Sequence, residues 1–390
     1  MADSTHSRHL APGVPARRTA EAIALTTVST AVESPLLRMT RETSTQYWND
    51  SCALAELTYA VERGATGATS NPSIVLEVLK KEREHWQPRI LALAAEHPTW
   101  SEVDLTWALI GEMATRGAGV LAPVFERMAG RAGRLSIQVN PAEHRHPERM
   151  VEQSLGLSAL APNVQVKFPV TTAGLAGLEE ATARGVTITA TVSFSVAQAV
   201  AAAEAVERGL RRRHEAGGDV SIMTPMVVLM IGRLDDWLKV LVERDALAVH
   251  PDAPNWAGVA VFKRTYGIFQ QRGFRSRLLA AAYRHRLHWT ELVGGDVSMT
   301  LPYAWQVRFN GSGIVPEPRM DVPVAPALLE DLWERIPDFR RAYEPDGMRP
   351  DEFEAFGPSA RTLRAFIASY HELQAAVRDV VLPDPDVRPR

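Results

Sequence analysis

The chain has almost no cysteine: Cys52 is the single one in 390 residues. An internal disulfide is therefore impossible, which excludes a stapled secreted scaffold and leads us to expect a reducing cytosol. Excess charge of one sign is also missing. The 43 Lys and Arg residues face 46 Asp and Glu, a net charge of −3, so nucleic acid and anionic membranes are not expected as partners. No stretch approaches the roughly 18 consecutive apolar residues of a membrane span. The N-terminus MADSTHSRHLAPGVPARRTAEA lacks a continuous apolar core, so no signal peptide is expected either. Lysine is scarce as well, confined to Lys80, Lys81, Lys167, Lys239 and Lys263, while nearly all other basic residues are arginine. A lysine kept inside an apolar segment therefore stands out.

What is present is ordinary globular composition, 46% hydrophobic and 23% charged. Residues 1–43, rich in Ser, Thr, Ala, Pro and Arg with a weak helical stretch at Thr19–Leu25, read as an extension, and residues 383–390 (PDPDVRPR) as a tail. Between them, over residues 44–382, β-like runs alternate with amphipathic helical stretches. The runs lie near 44–49, 66–70, 135–140, 164–170, 187–194, 222–231, 277–283 and 297–302. Eight strands alternating with helices predict an α/β fold, a (β/α)8 TIM barrel, and helical residues 325–378 are expected to pack across it as additional C-terminal helices. No G-x-G-x-x-G follows the first strand, which argues against a dinucleotide fold.

Strand periodicity splits each run into two faces. In LSIQVN, Ser136, Gln138 and Asn140 oppose Leu135, Ile137 and Val139; in VQVKF, Gln165 and Lys167 oppose Val164, Val166 and Phe168. In TITATVSF, Thr187, Thr189, Thr191 and Ser193 share the polar face. The helix-covered outside of a barrel must be apolar, so these polar faces are expected to line the lumen and end at the C-terminal mouth, where barrel active sites lie. Lys167 then projects into that lumen. An ammonium there is costly unless its pKa falls or it is paired, so periodicity alone leaves two readings: a neutral nucleophilic amine able to form a Schiff base, or a structural ion pair.

Four segments in order, GATGATSNPSIV (64–75), VQVKFPVTTAGLAGLEEATARGVTITATVSFS (164–195), the run Met230-Ile231-Gly232-Arg233-Leu234-Asp235, and FEAFGPSARTLRAFIASYHEL (353–373), make the chain resemble the transaldolase family from about Thr45 to Val380. The resemblance implies class I aldol chemistry on a (β/α)8 barrel with no metal or organic cofactor, acting on a sugar or sugar phosphate and an aldehyde acceptor. It implies that Lys167 is the Schiff-base lysine and that Asp50 in YWND removes the substrate hydroxyl proton. Asn71 in S-N-P would hydrogen-bond substrate hydroxyls, Thr191 would position the catalytic water, and Arg233 would bind substrate phosphate, with Arg284 where some members place a second such arginine. Three positions depart from the family pattern: Gln138 replaces a proton-shuttling glutamate, Thr189 an asparagine, and Val228 a serine. Gln138 cannot titrate near neutral pH, so any proton shuttle must run through water, another side chain or the substrate. Members that make or cleave free dihydroxyacetone carry Gln there. The resemblance thus leaves open transfer to an aldehyde, aldolase or divergent carbon–carbon bond formation, and sugar-phosphate binding without turnover.

The remaining signals point to structure. His144/His146 and His285/His288 have no H-E-x-x-H-like spacing or nearby carboxylate pattern, so no metal is expected. The basic run Arg211–His214 suits a helix C-terminus, the nine tryptophans suit packing, and Cys52 suits a small buried hydrophobe.

Overall fold

A computed structural model describes residues 33–386. All eight strands form where the alternation predicts: β1 (Gln46–Asn49), β2 (Gly67–Thr69), β3 (Arg134–Gln138), β4 (Val164–Pro169), β5 (Ile188–Thr191), β6 (Met226–Leu229), β7 (Arg277–Ala280) and β8 (Ser298–Leu301). They close into one barrel in chain order, every neighbour parallel, with β1 sealing against β8. The helices are α1 (Pro35–Glu42), α2 (Leu54–Glu62), α3 (Pro72–Lys81), α4 (Arg83–Glu96), α5 (Glu102–Arg127), α6 (Pro147–Ser158), α7 (Thr172–Ala183) and α8 (Val196–Glu215). After them come α9 (Ile231–Arg244), α10 (Ala257–Arg272), α11 (Leu287–Thr290), α12 (Tyr303–Asn310), α13 (Pro326–Arg335), α14 (Pro337–Tyr343) and α15 (Gly357–Val381). The fold is a (β/α)8 TIM barrel with additional C-terminal helices.

Side-chain direction follows the period-two reading. Val164, Val166 and Phe168 are fully or nearly fully buried beneath the helical layer, while the opposite face of the sheet is tied across the lumen by the Ser136–Thr189 hydroxyl pair at 2.8 Å. Proline and capping residues set several helix starts. Asn71 caps α3, accepting from Ile74 N–H at 3.1 Å with Pro72 following, and Ser195 caps α8 by accepting from Gln198 N–H at 3.1 Å. Pro147 restarts the chain as α6 after a 3-10 turn at Pro141–Glu143.

One boundary differs from the sequence reading. A compact unit begins at Ser34, ten residues before the expected start, because α1 inserts Leu36 and Met39, both fully buried, into the main core. Leu36 N–H donates to Asn310 Oδ1 at 3.2 Å and Trp289 Nε1–H to Met39 sulfur at 3.2 Å. Two buried side chains in a helix of eight residues are too weak a periodic signal to separate it from an extension. The helical stretch expected at Thr19–Leu25 lies outside the described residues.

The C-terminal helix is expected across the barrel, and α15 spans it. At its start, Gln198 Nε2–H donates to Ser359 Oγ at 3.0 Å, fixing α15 to the base of α8. Farther along, Leu373 and Val377 enter a second apolar cluster with Val75 and Leu79 of α3, Ile90 of α4 and Leu109 of α5. No helix among the described residues is long and apolar enough to cross a membrane.

Candidate functional site

Lys167 points into the barrel from β4, flanked in register by Gln138 on β3 and Thr189 on β5. It is 5% exposed, and its ammonium donates to the Ser70 carbonyl at 2.9 Å. Burial pushes its pKa down to about 8, opposed by the Asp50 charge. Asp50 follows β1 directly, its N–H donating to Leu301 O at 2.9 Å, and its Oδ1 accepts from Thr69 Oγ1 at 2.6 Å. Burial raises the Asp50 pKa, while the Thr69 hydrogen bond, Lys167 and Arg233 work the other way. Consecutive residues of one strand end, Thr69 and Ser70, thus hold the carboxylate and the amine of the pair. Thr69 is itself anchored to Thr300 Oγ1 at 2.6 Å.

Gln138 is buried, and its Oε1 has no partner among the described residues. A buried amide oxygen beside Lys167 needs a donor, and a water or a substrate hydroxyl supplies one. The hydroxyl of Thr189 is engaged with Ser136, one layer below the mouth. Thr191, one face-repeat higher, ends β5, and the next residue, the fully buried Val192, takes φ +56°. A β-branched residue in the left-handed region is strained, and here it turns the chain sharply at the lumen rim. Asn71 uses Oδ1 to cap α3, which leaves its amide N–H groups for a ligand.

The arginines gather at the mouth. Arg233 opens α9, and its Nη1 donates to Thr362 Oγ1 of α15 at 3.3 Å. Arg284 lies beyond β7 and pairs with Asp236 at 2.8 Å. The two come together because Gly232 lets the loop after β7 approach: a Cβ there would sit 1.8 Å from the Ala282 carbonyl. Ala282 itself bends the loop at φ +66°. Arg233, Arg284 and a third arginine, Arg361 of α15, line one cavity of about 180 Å³ with Asp236 and Thr362. Three guanidiniums against one carboxylate leave the cavity with an excess of positive charge.

Sequence reasoning missed several of these groups. Arg361 stands about 130 positions from Arg233, and no local pattern links them. Tyr283 is buried, and its hydroxyl has no partner among the described residues; burial and then the Asp50 charge keep its phenol protonated. Its place before Arg284 offered no periodic signal. The Ser70 carbonyl that receives Lys167 is backbone, invisible to side-chain pattern.

The histidine reading needs a correction. His285 and His288 do have a carboxylate, Asp235, delivered from α9 rather than from neighbouring sequence. Among the described residues these three form the one group with ligand atoms all within 4.8 Å of one another. Hydrogen bonding decides its role. His288 Nδ1 accepts from Arg284 N–H at 3.2 Å, so Nε2 carries the hydrogen and donates to Asp235 Oδ2 at 2.8 Å. Binding a metal through Nε2 would need that hydrogen moved to Nδ1, against the Arg284 N–H. Asp235 Oδ1 accepts from Gly258 N–H at 2.8 Å. The cluster therefore fixes the backbone that carries Arg284. The other two histidines do not meet it, and His144 faces Glu354 at 3.3 Å. Cys52 is buried as expected, and burial raises its thiol to about 11.

A family model described as Transaldolase/Fructose-6-phosphate aldolase matches residues 47–344. A transaldolase of Thermobifida fusca is 31% identical over 191 residues, 47% of this chain and 49% of the relative. One of Mycobacterium ulcerans is 28% identical over 212 residues, 54% and 56%. One of Mycobacterium tuberculosis is 27% identical over 269 residues, 66% and 71%. The matched stretch spans about half the length of the first two relatives.

Proposed function

Given that the chain belongs to the transaldolase/fructose-6-phosphate aldolase family, we propose that it transfers a dihydroxyacetone unit from a ketose or ketose phosphate to an aldehyde acceptor through a Schiff base on Lys167. The observation that carries this reading is the buried, inward lysine amine in the field of a half-buried carboxylate, Asp50. Neutral Nζ attacks the ketose C2 carbonyl, and the carbinolamine loses water to give an iminium. Asp50 takes the proton of the C4 hydroxyl, the C3–C4 bond breaks, and its electron pair moves into the iminium to leave a Lys167-bound enamine and a free aldehyde. The enamine carbon then attacks the acceptor aldehyde, whose oxygen takes the proton back from Asp50, and water hydrolyses the new iminium. A carboxyl with a raised pKa suits a group that both accepts and returns a proton. Gln138 and the Thr191 hydroxyl hold the water of the imine steps. Thr189 lines the lumen beside Lys167 with its hydroxyl paired to Ser136, and Asn71 donates to substrate hydroxyls. Arg233, Arg284 and Arg361 take the phosphate.

Gln138 favours a second reading, an aldolase that releases dihydroxyacetone by hydrolysis or a divergent bond-forming enzyme with a non-standard substrate, because an amide does not titrate. A sugar-phosphate-binding barrel without turnover is disfavoured by the retention of both Lys167 and Asp50. The test is borohydride reduction with candidate ketoses followed by peptide mass mapping. An adduct on Lys167, lost together with turnover in Lys167→Met, is expected; an adduct on Lys239 or Lys263 would overturn the assignment.

A further inference from the structure

The opposite end of the barrel holds a second cavity, of about 440 Å³, in the size range of small-molecule sites. It is entered from the N-terminal ends of the strands and reaches up to the inward side chain of Trp48. Four arginines line it, Arg131, Arg134, Arg275 and Arg277, with one carboxylate, Asp296. That carboxylate is used by Arg277.

Arg134 is the most telling of the four. It is 3% exposed, and its guanidinium donates to three backbone carbonyls, Pro162 at 3.3 Å, Gly130 at 2.9 Å and Ile222 at 3.0 Å, and lies over the Phe125 ring, with no carboxylate partner among the described residues. Its Nε has no partner among the described residues, and burial alone pushes its pKa down to about 10. Arg275 is held the same way, donating to the Met223 and Ser221 carbonyls at 3.1 Å and to Val220 O. Arg131 is exposed and makes no ion pair among the described residues. Carbonyl dipoles hold Arg134 and the exposed Arg275 in place without cancelling their charge, and for the buried Arg134 guanidinium the missing counter-charge is costly until an anion meets it. The rest of the wall mixes the aromatic side chains Trp48, Phe269 and Phe274 with polar ones such as Gln46, Thr224 and Ser298.

We propose that the barrel floor binds a small organic phosphate bearing a flat ring, with Arg131, Arg134 and Arg275 on its phosphates and Trp48, Phe269 and Phe274 against its ring. Arginine forks match phosphate oxygens, and indole and phenyl faces match a ring. This site does not depend on Lys167 chemistry: it lies on the barrel face away from the mouth and uses none of the residues assigned to the aldol reaction.

The test is calorimetric titration of the full chain with ADP, pyrophosphate and orthophosphate, made in the Arg233→Ala background so that the mouth arginines do not contribute. We expect one ADP per chain, bound more tightly than pyrophosphate and pyrophosphate more tightly than orthophosphate. ADP should also quench tryptophan fluorescence saturably, and that quench should disappear in Trp48→Phe. Arg131→Ala with Arg275→Gln should weaken ADP by roughly tenfold or more. Because Arg275 also holds backbone, the exposed single variant Arg131→Glu serves as a second probe and should weaken ADP without loss of fold. Absence of saturable ADP binding, an ADP affinity unchanged in both floor variants, or pyrophosphate binding as tight as ADP would each overturn the proposal, whatever the outcome of borohydride trapping.

Discussion

The desolvated state of Lys167 has a measurable consequence. An ordinary lysine titrates near 10.5, and burial brings this one to about 8. At pH 7 the neutral fraction is then about 9% in place of about 0.03%, a roughly 300-fold gain in attacking amine, net of the Asp50 attraction. The sign follows from the charge: burial disfavours the ammonium, so the proton leaves at lower pH, and the nearby Asp50 carboxylate limits that fall. Trapping rates with dihydroxyacetone and cyanoborohydride, followed by mass spectrometry between pH 5.5 and 10, should rise to a plateau with a midpoint near 8. In Asp50→Asn the attraction holding the proton is gone, so the midpoint should move below that of the parent. C–C cleavage should slow strongly in the same variant while the imine still forms, because the base is lost and the amine is not. A parent midpoint near 10, or an upward shift in Asp50→Asn, would refute the reasoning, since either would mean that Lys167 is solvated or that the carboxylate does not sense it.

Gln138→Glu should raise transfer between ordinary sugar phosphates by a part of the roughly 10²- to 10⁴-fold that a well-placed general acid contributes, and add an acidic limb to the pH profile. The new carboxylate also raises the Lys167 midpoint and trims the gain; a fall in transfer with every sugar phosphate tested, in a folded variant, would favour the divergent reading. Arg361→Ala should raise the KM for a phosphorylated ketose roughly tenfold at little changed kcat. The KM for the unphosphorylated analogue should move far less, and equal effects on both would remove Arg361 from the phosphate cavity. Met39→Ala should cost about 2–5 kcal/mol in a denaturant melt, as a fully buried side chain truncated in a packed core does. The same unfolding measurement on a chain truncated through residue 40, which composition alone would expect to be harmless, should show a loss at least as large.

The sequence by itself determined the barrel, because period two along each strand and the longer helical period between strands are local consequences of backbone geometry, and eight repeats leave few ways to close. The same periodicity sent Lys167, Gln138 and Thr189 to one face, and the structure places them side by side in β3, β4 and β5. It could not bring Asp50 to Lys167, since their meeting runs through the hydroxyl of Thr69 and the carbonyl of Ser70, a junction made only when β2 lies between them and the barrel closes. Nor could it assemble Asp235 with His288, Arg361 with Arg233, or Arg134 with Arg275. Each of these groups joins residues from separate elements, and which elements meet is decided by closure of the sheet and the docking of α15, long-range packing that leaves no spacing in the chain. The start of the compact unit at Ser34 was decided the same way: two buried side chains in eight helical residues acquire meaning only against the core that receives them.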